Sequence, residues 1–324
     1  MVLRNLVDTA AEISVVGSFG RHGLVLRRRL FGWGSPEPGC LAGRTALVTG
    51  PTSGLGRATA EALGGLGARV ILVGRSPERL AGLREELVAR YGEDRFPTVV
   101  ADMGSLAAAR EAAAAVLSSE SRLDIVVDNA GAIYPERHAG PDGLEATLAL
   151  LVVAPFALVS GLLPLLRRTP GSRVIAVTSG GTYTQAVHFD DLGFEKEPWS
   201  GSRAYARAKR MQVALMREWS RRTAGSGVNF VAMHPGWADT PGLAESLPEF
   251  HRRMRRALRT PAEGADTIVW LATAPSAEIE GGRLYLDRRP RPFDRLPSTR
   301  LSAAQRRRLW DVVVEFSGRP DPTL

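Results

Sequence analysis

Tyr205 and Lys209, four residues apart in the run YARAKR, are the pair in this sequence best suited to chemistry. On a helix, residues at this spacing lie one turn above the other on one face, so the ammonium can act on the phenol. A free tyrosine titrates near ~10, and a fixed positive charge favours its phenolate, bringing it toward working range as an acid or base. The lysine stands out against the composition, because of 42 basic residues only Lys196 and Lys209 are lysine and the rest are arginine. Arginine stays charged and planar, whereas the pKa of a lysine shifts on burial, which is what a proton-handling site uses. Upstream, Ser179 in TSGG supplies a second hydroxyl. Reducing a carbonyl develops negative charge on oxygen, and such a site needs a proton donor and a second hydrogen bond aimed there.

The elements that position these groups are read from periodicity. Residues 45–48 form a short buried strand running directly into TGPTSGLG, with glycines at 50, 54 and 56. A helix to about residue 67 and a second apolar strand at 69–73 complete a βαβ unit. The glycines let the backbone of Gly50, Ser53, Gly54, Leu55 and Gly56 approach a pyrophosphate at the helix start. After the second strand, where selectivity for NAD usually places an acid, stands Arg75, which suits the 2′-phosphate of NADP. Alternation continues with helices at 77–91 and 105–118 and strands at 98–101 and 125–127, ending in Asp102 and in Asn129-Ala130-Gly131. A long apolar helix at 142–168, a strand at 173–177, the Tyr205 helix at 202–222 and a strand at 228–233 follow. The turn HPGWADT (234–240), a basic mobile segment to Arg259, a helix at 261–274 and a strand at 283–286 close the pattern. Such alternation implies an α/β fold with a doubly wound parallel sheet, a Rossmann fold, whose ligands sit beyond the carboxyl ends of the strands.

The 324 residues divide into an N-terminal amphipathic arm and linker (1–41), one Rossmann-fold domain (42–290) and a tail with a helix at 301–316. Hydrophobic content of 44% and charged content of 23% are ordinary for a soluble globular chain. The lone Cys40 excludes an internal disulfide and suits a reducing compartment, so the expected location is cytoplasmic. The net charge of +8 comes mostly from arginine clusters at 27–29, 252–259, 283–295 and 306–308, which read as solvated surface or, in the alternative, as attracting an anionic cofactor or membrane surface. Without a nucleic-acid module, nucleic acid is not an expected partner. No unbroken apolar run of ~18 residues is expected, so neither a membrane span nor a secretory signal is. The arm packs on the domain in one reading; in the other it makes a peripheral membrane contact through residues 24–33 with Arg27, Arg28 and Arg29.

Together the motifs TGPTSGLG, NAG, Ser179, YARAK and PGWADT, in this order and spacing over residues 42–290, resemble the short-chain dehydrogenase/reductase family. An Asp190-Asp191-Leu192 element points to its retinol-dehydrogenase-like branch, and SGG, YARAKRMQV and MHPGWADTPG to the branch of dehydrogenase/reductase member twelve. The resemblance implies an oxidoreductase acting on a small-molecule carbonyl or alcohol. Tyr205 would be its acid or base, Ser179 would hold the substrate oxygen, and Lys209 would lower the tyrosine pKa and hold the nicotinamide ribose. Gly50, Ser53, Leu55 and Gly56 would cradle phosphates, Asp102 would hold the adenine, and Asn129 and Gly131 the nearby ribose. Pro235, Gly236 and Thr240 would hold the carboxamide. A homo-oligomer built on paired helices is also implied, unless the tail covers them. One departure from the family is Leu151, aligned with an asparagine that usually holds a relay water; Asp128 is another, in the first place of the usual asparagine pair. Leu151 and the basic arm motivate a rival reading, a cofactor-binding scaffold at a membrane surface with little turnover. The histidines show no metal-ligand spacing, so no metal is expected. Phe194, Tyr183, Trp199 and Trp237 serve either as an apolar pocket for a lipophilic substrate or as packing.

Overall fold

Seven parallel strands and one antiparallel edge strand form a sheet ordered β3-β2-β1-β4-β5-β6-β7-β8 in the computed structural model of the chain, which describes residues 2–92 and 95–324. The strands are β1 (Thr45–Thr49), β2 (Arg69–Gly74), β3 (Thr98–Val100), β4 (Ile125–Asp128), β5 (Arg173–Val177), β6 (Asn229–Met233), β7 (Leu284–Leu286) and β8 (Arg289–Arg291). β1, β4 and β5 are buried along their whole length, which is why they read as continuous apolar runs and not as alternating ones. Strand order reverses between β1 and β4, opening a cleft beyond their carboxyl ends. Helices α4 (Gly54–Gly65), α5 (Pro77–Tyr91) and α12 (Pro261–Thr273) bury one face of the sheet; α6 (Leu106–Ser119), α8 (Ala154–Arg168) and α9 (Gly201–Arg222) bury the other.

Several expectations are corrected. The apolar helix begins at Ala146, because Asp142 and Gly143 lie in a turn and the Asp142 carboxylate accepts the Leu106 amide at the start of α6. From α7 (Ala146–Leu148) the helix passes through a π-helical turn, Ala149–Val153, into α8. This stretch, Ala146–Arg168, is apolar and long enough to cross a membrane, contrary to the expected lack of such a run. With 83% of its most apolar window buried inside the protein, it is a core helix. The segment expected to be mobile forms α10 (Pro241–Ser246) and α11 (Pro248–Met254). β8 is an addition to the expected strands; Asp287 and Arg288, at φ 53° and 55°, turn the chain back from β7 in a two-residue hairpin.

The arm packs on the domain. It comprises α1 (Val2–Ile13), α2 (Val15–Phe19) and α3 (Arg21–Phe31), and Leu24 and Arg27 are buried, so the membrane reading of 24–33 loses two of its residues. Arg27, Arg259 and Arg291 are not solvated surface either; they are buried against Asp8 and Asp287. Pairing makes this burial tolerable, since an unpaired buried charge is strongly destabilising.

The tail ends in α13 (Ala303–Ser317), opened by a Ser302–Gln305 capping box and closed by Gly318 at φ 58°. It covers α8 and α9. Trp310 meets Trp219 edge-on at 4.7 Å and Phe156 at 4.9 Å, and Trp219 stacks on Phe230 at 5.1 Å. Trp310 is fully buried and its indole N–H donates to Asp321. Trp310→Ala is therefore expected to cost ~3–5 kcal/mol of stability, read as a fall in the denaturation midpoint without change in the slope.

Candidate active site

The carboxyl ends of β1 to β6 open on the cleft. β5 delivers Thr178 and Ser179, and a short 3₁₀ turn, Gly180–Tyr183, follows. The Ser179 hydroxyl accepts the Gly181 amide at 3.2 Å and stands close enough to the Tyr205 hydroxyl to favour its ionised form. Lys209 is buried one helical turn beyond Tyr205, its ammonium 5.4 Å from the tyrosine ring centroid and donating to the Val177 carbonyl at 2.8 Å. The Thr178 hydroxyl returns a bond to the Lys209 carbonyl at 3.1 Å. The expected set of Ser179, Tyr205 and Lys209 is thus assembled in one place.

The electrostatics differ from the sequence expectation. Burial pushes the Tyr205 hydroxyl up to about 12, and Ser179 only partly opposes this. Burial is the largest influence on the hydroxyl, so the shift runs away from the neutral range and not toward it. Burial in turn depresses Lys209 to about 8, with Asp128 acting to keep it charged. Asp128 is itself raised to about 6 by burial, held back by Lys209 and by the Gln212 amide, which donates to it at 3.1 Å. Each unit is worth about 1.4 kcal/mol between the two protonation states.

Leu151 lies in the π-helical turn, fully buried. A Cβ built on Gly131 would stand 3.1 Å from its side chain and 3.8 Å from the Lys209 nitrogen, so Leu151 does sit beside the lysine, as the alignment implied. Polar function at this spot passes to Asp128 and Gln212. Each keeps one buried oxygen that receives no hydrogen bond among the described residues. Both border a cavity of about 10 Å³ that Leu151 also lines, roughly the size of one water. Gln212 escapes a reading by motif; its signal in the sequence is its place one turn beyond Lys209 on the same helix.

At the other end, Gly50 and Gly54 take φ of 63° and 53°, and a Cβ on Gly56 would fall 2.1 Å from the Gly50 carbonyl. Only glycine fits there. Ser53 precedes α4 with its side chain off the backbone, so the first N–H groups of α4 are left for an anion, with Leu55 beside them. Asn129 serves the scaffold, since its amide donates to the carbonyls of Thr49 at 2.9 Å and Gly50 at 3.2 Å and so ties β4 to the glycine turn. Arg75 is exposed at the end of β2 with no hydrogen bond or ion pair among the described residues. Asp102 is exposed after β3 and accepts the Gly104 amide. Tyr134 feels both Asp102 and Arg75, which places the three on one rim of the cleft. The glycine turn and the open N-terminus of α4 suit the pyrophosphate of a dinucleotide.

Across the cleft, Thr240 packs against the glycine turn, its methyl 3.1 Å from a Cβ built on Gly54. Thr240 also caps α10 through the Leu243 amide. Gly236, at φ 73°, and buried Pro235 precede it. Two of the four flanking aromatics are packing: Phe194 is buried under the Arg207 guanidinium, 4.3 Å from its ring centroid, and Tyr183 is buried with its hydroxyl on the Pro292 carbonyl. Trp199 is held by the Tyr134 carbonyl, and Trp237 is partly exposed beside Phe250 at 5.2 Å. Among the described residues no His, Cys, Asp and Glu gather as a metal site.

Residues 44–249 match the short chain dehydrogenase family. Dehydrogenase/reductase SDR family member 12 of Bos taurus is 36% identical over 280 residues, which cover 86% of this chain and 87% of the relative. DnrU of Streptomyces sp. (strain C5), named for daunorubicin C-13 ketoreduction, is 38% identical over 287 residues, covering 88% of this chain and 96% of the relative. The NADP active-site complex of Pseudomonas aeruginosa RhlG superposes with a TM-score of 0.63 at 27% identity, over 76% of this chain and 96% of that one.

Proposed function

Since the chain belongs to the short-chain dehydrogenase/reductase family of nicotinamide-dependent oxidoreductases, we propose that it interconverts a lipophilic carbonyl compound and its alcohol with NADP(H). The observation that carries this reading is the Ser179–Tyr205 hydroxyl pair, backed by buried Lys209 at the mouth of a glycine-lined cleft. When bound, the nicotinamide supplies or accepts the hydride. Tyr205 gives its hydroxyl proton to the oxygen that gains charge, and Ser179 holds that same oxygen. Lys209 then restores the tyrosine proton or steadies the phenolate. A tyrosine pushed up to about 12 remains protonated through the neutral range, which suits the reducing direction.

Gly50, Ser53, Gly54, Leu55 and Gly56 hold the pyrophosphate in this reading, and Asp102 the adenine. Asn129 and Gly131 shape the ribose site, and Pro235, Gly236 and Thr240 hold the carboxamide. Arg75 selects the 2′-phosphate, supported by its exposed, unengaged guanidinium. Trp237 and Phe250 form the apolar wall for substrate, consistent with a relative named for reducing a ketone of daunorubicin. The low-turnover scaffold reading is not favoured, because the catalytic set is assembled. Exposed Leu3, Leu6 and Ile13 on α1 remain for a peripheral membrane contact.

Purified protein is expected to oxidise NADPH with apolar ketones or aldehydes, and Tyr205→Phe to lower kcat at least ~100-fold; equal rates in the two proteins would remove the assignment. Arg75→Ala is expected to weaken NADPH binding about tenfold, a loss of ~1.4 kcal/mol, and to leave NADH binding unchanged. An unaltered ratio of the two dissociation constants rejects that role. Lys209 has a lowered pKa, so its ammonium is present below about 8 and lost as pH rises through that value. Reduction, followed as kcat/KM against pH, is expected to fall on that side. Asp128→Asn removes the charge that sustains the ammonium and is expected to move the fall to lower pH; a shift to higher pH contradicts the pairing.

A further inference from the structure

The arm reaches the loop that the reading above gives to the nicotinamide. The Trp237 amide donates to the Phe19 carbonyl at 2.8 Å. The Phe19 ring meets Trp237 edge-on at 5.9 Å and the buried His234 ring at 4.6 Å. Gly236 is closed in from two sides, since a Cβ there would lie 2.4 Å from the Phe19 carbonyl and 2.6 Å from the Arg259 guanidinium.

One guanidinium joins the two segments. Arg259, 1% exposed, donates to the Pro235 carbonyl at 3.1 Å on the loop side and to the Ser18 carbonyl at 3.0 Å and the Gly20 carbonyl at 3.3 Å on the arm side. Its carboxylate partner is Asp287, at 2.6 and 3.0 Å. The same Asp287 receives Arg27 from the arm at 2.6 Å, and Arg27 is held in turn by Asp8 at 2.6 Å and Glu12 at 2.8 Å. Asp287, in the hairpin turn between β7 and β8, thus meets both arginines. By strand order, Gly50, Arg75 and Asp102 lie beyond β1, β2 and β3, on the opposite side of the sheet from β6, β7 and β8, where these contacts fall.

We infer that the N-terminal arm is a built-in part of the cofactor site, with Arg27, Asp287 and Arg259 a positioning unit that holds the backbone of residues 235–237 against the nicotinamide end. The inference rests on the assignment of that loop to the nicotinamide. An arm that only stabilised the fold would affect both ends of the cofactor alike through the folded fraction. A positioning arm affects the nicotinamide end selectively, and by linkage the cofactor tightens the arm in return.

The test compares the cofactor that the wild-type chain binds with its nicotinamide-free counterpart, 2′-phospho-ADP-ribose for NADPH or ADP-ribose for NADH. Full-length Arg27→Met is expected to weaken the intact cofactor about tenfold and to leave the counterpart unchanged, with partial recovery in Arg27→Lys. Loss of both affinities in the same proportion, or of neither, overturns the inference. Hydrogen exchange on the wild-type chain gives a readout that does not depend on the variants folding. The intact cofactor is expected to slow exchange at residues 17–27 and at Trp237 beyond what the counterpart achieves, and equal protection by the two overturns the inference. A wild-type chain that binds neither dinucleotide instead sinks the assigned cofactor, a result distinct from either of these.

Discussion

A lysine buried in an α/β core must spend its donors on something fixed, and much of the site follows from where Lys209 spends one. Its bond to the Val177 carbonyl and the return bond from Thr178 to the Lys209 carbonyl latch the end of β5 to the third turn of α9. Ser179 follows Thr178, and Tyr205 lies one turn before Lys209, so the latch sets the spacing at which the two hydroxyls meet. Neither the strand nor the helix alone fixes that distance. The ammonium is kept charged by Asp128 from the neighbouring strand, and Gln212, from the same helix, holds Asp128 in turn. A charge removed from water is tolerable only with such partners.

Leu151 looks in isolation like the loss of a polar function. The π-helical turn that carries it is nonetheless present, and it places the side chain against Gly131 and near Lys209. The apolar side chain borders the approach to the ammonium past Gly131, while Asp128 and Gln212 supply polarity nearby. Asp128, a departure from the usual asparagine, and Leu151 therefore belong together: burial depresses the lysine, and a carboxylate opposes that depression.

What could be read from residue order and what could not divide along a physical line. β1, β4 and β5 were legible because buried parallel strands are continuous apolar runs, and the glycine turn because its backbone admits no side chain. Ser179, Tyr205 and Lys209 were legible through spacing on a helix and strand. The arm's role was not, because Arg27 and Asp287 are 260 residues apart and a buried arginine is written with the same letter as a solvated one. β8 is three residues long with a central proline, which a short edge strand tolerates and a periodicity search passes over. The direction of the Tyr205 shift is hidden for a related reason. Proximity in sequence shows that the ammonium is near, whereas burial, which spacing does not reveal, decides the direction.

The near-exclusive use of arginine acquires a meaning in this setting. Burial, together with Arg259, Arg295, Arg291 and Arg27, holds His234 well below its usual range, so the imidazole beside Pro235 remains neutral. The acids of the arm answer a cluster whose cations do not titrate in any ordinary range. Arginine therefore gives the loop a brace of fixed positive charge. Asp128 near 6 and Lys209 near 8, by contrast, bracket neutrality from inside the site. Arginine in the scaffold and lysine beside Tyr205 thus separate a charge that stays fixed from one that burial shifts.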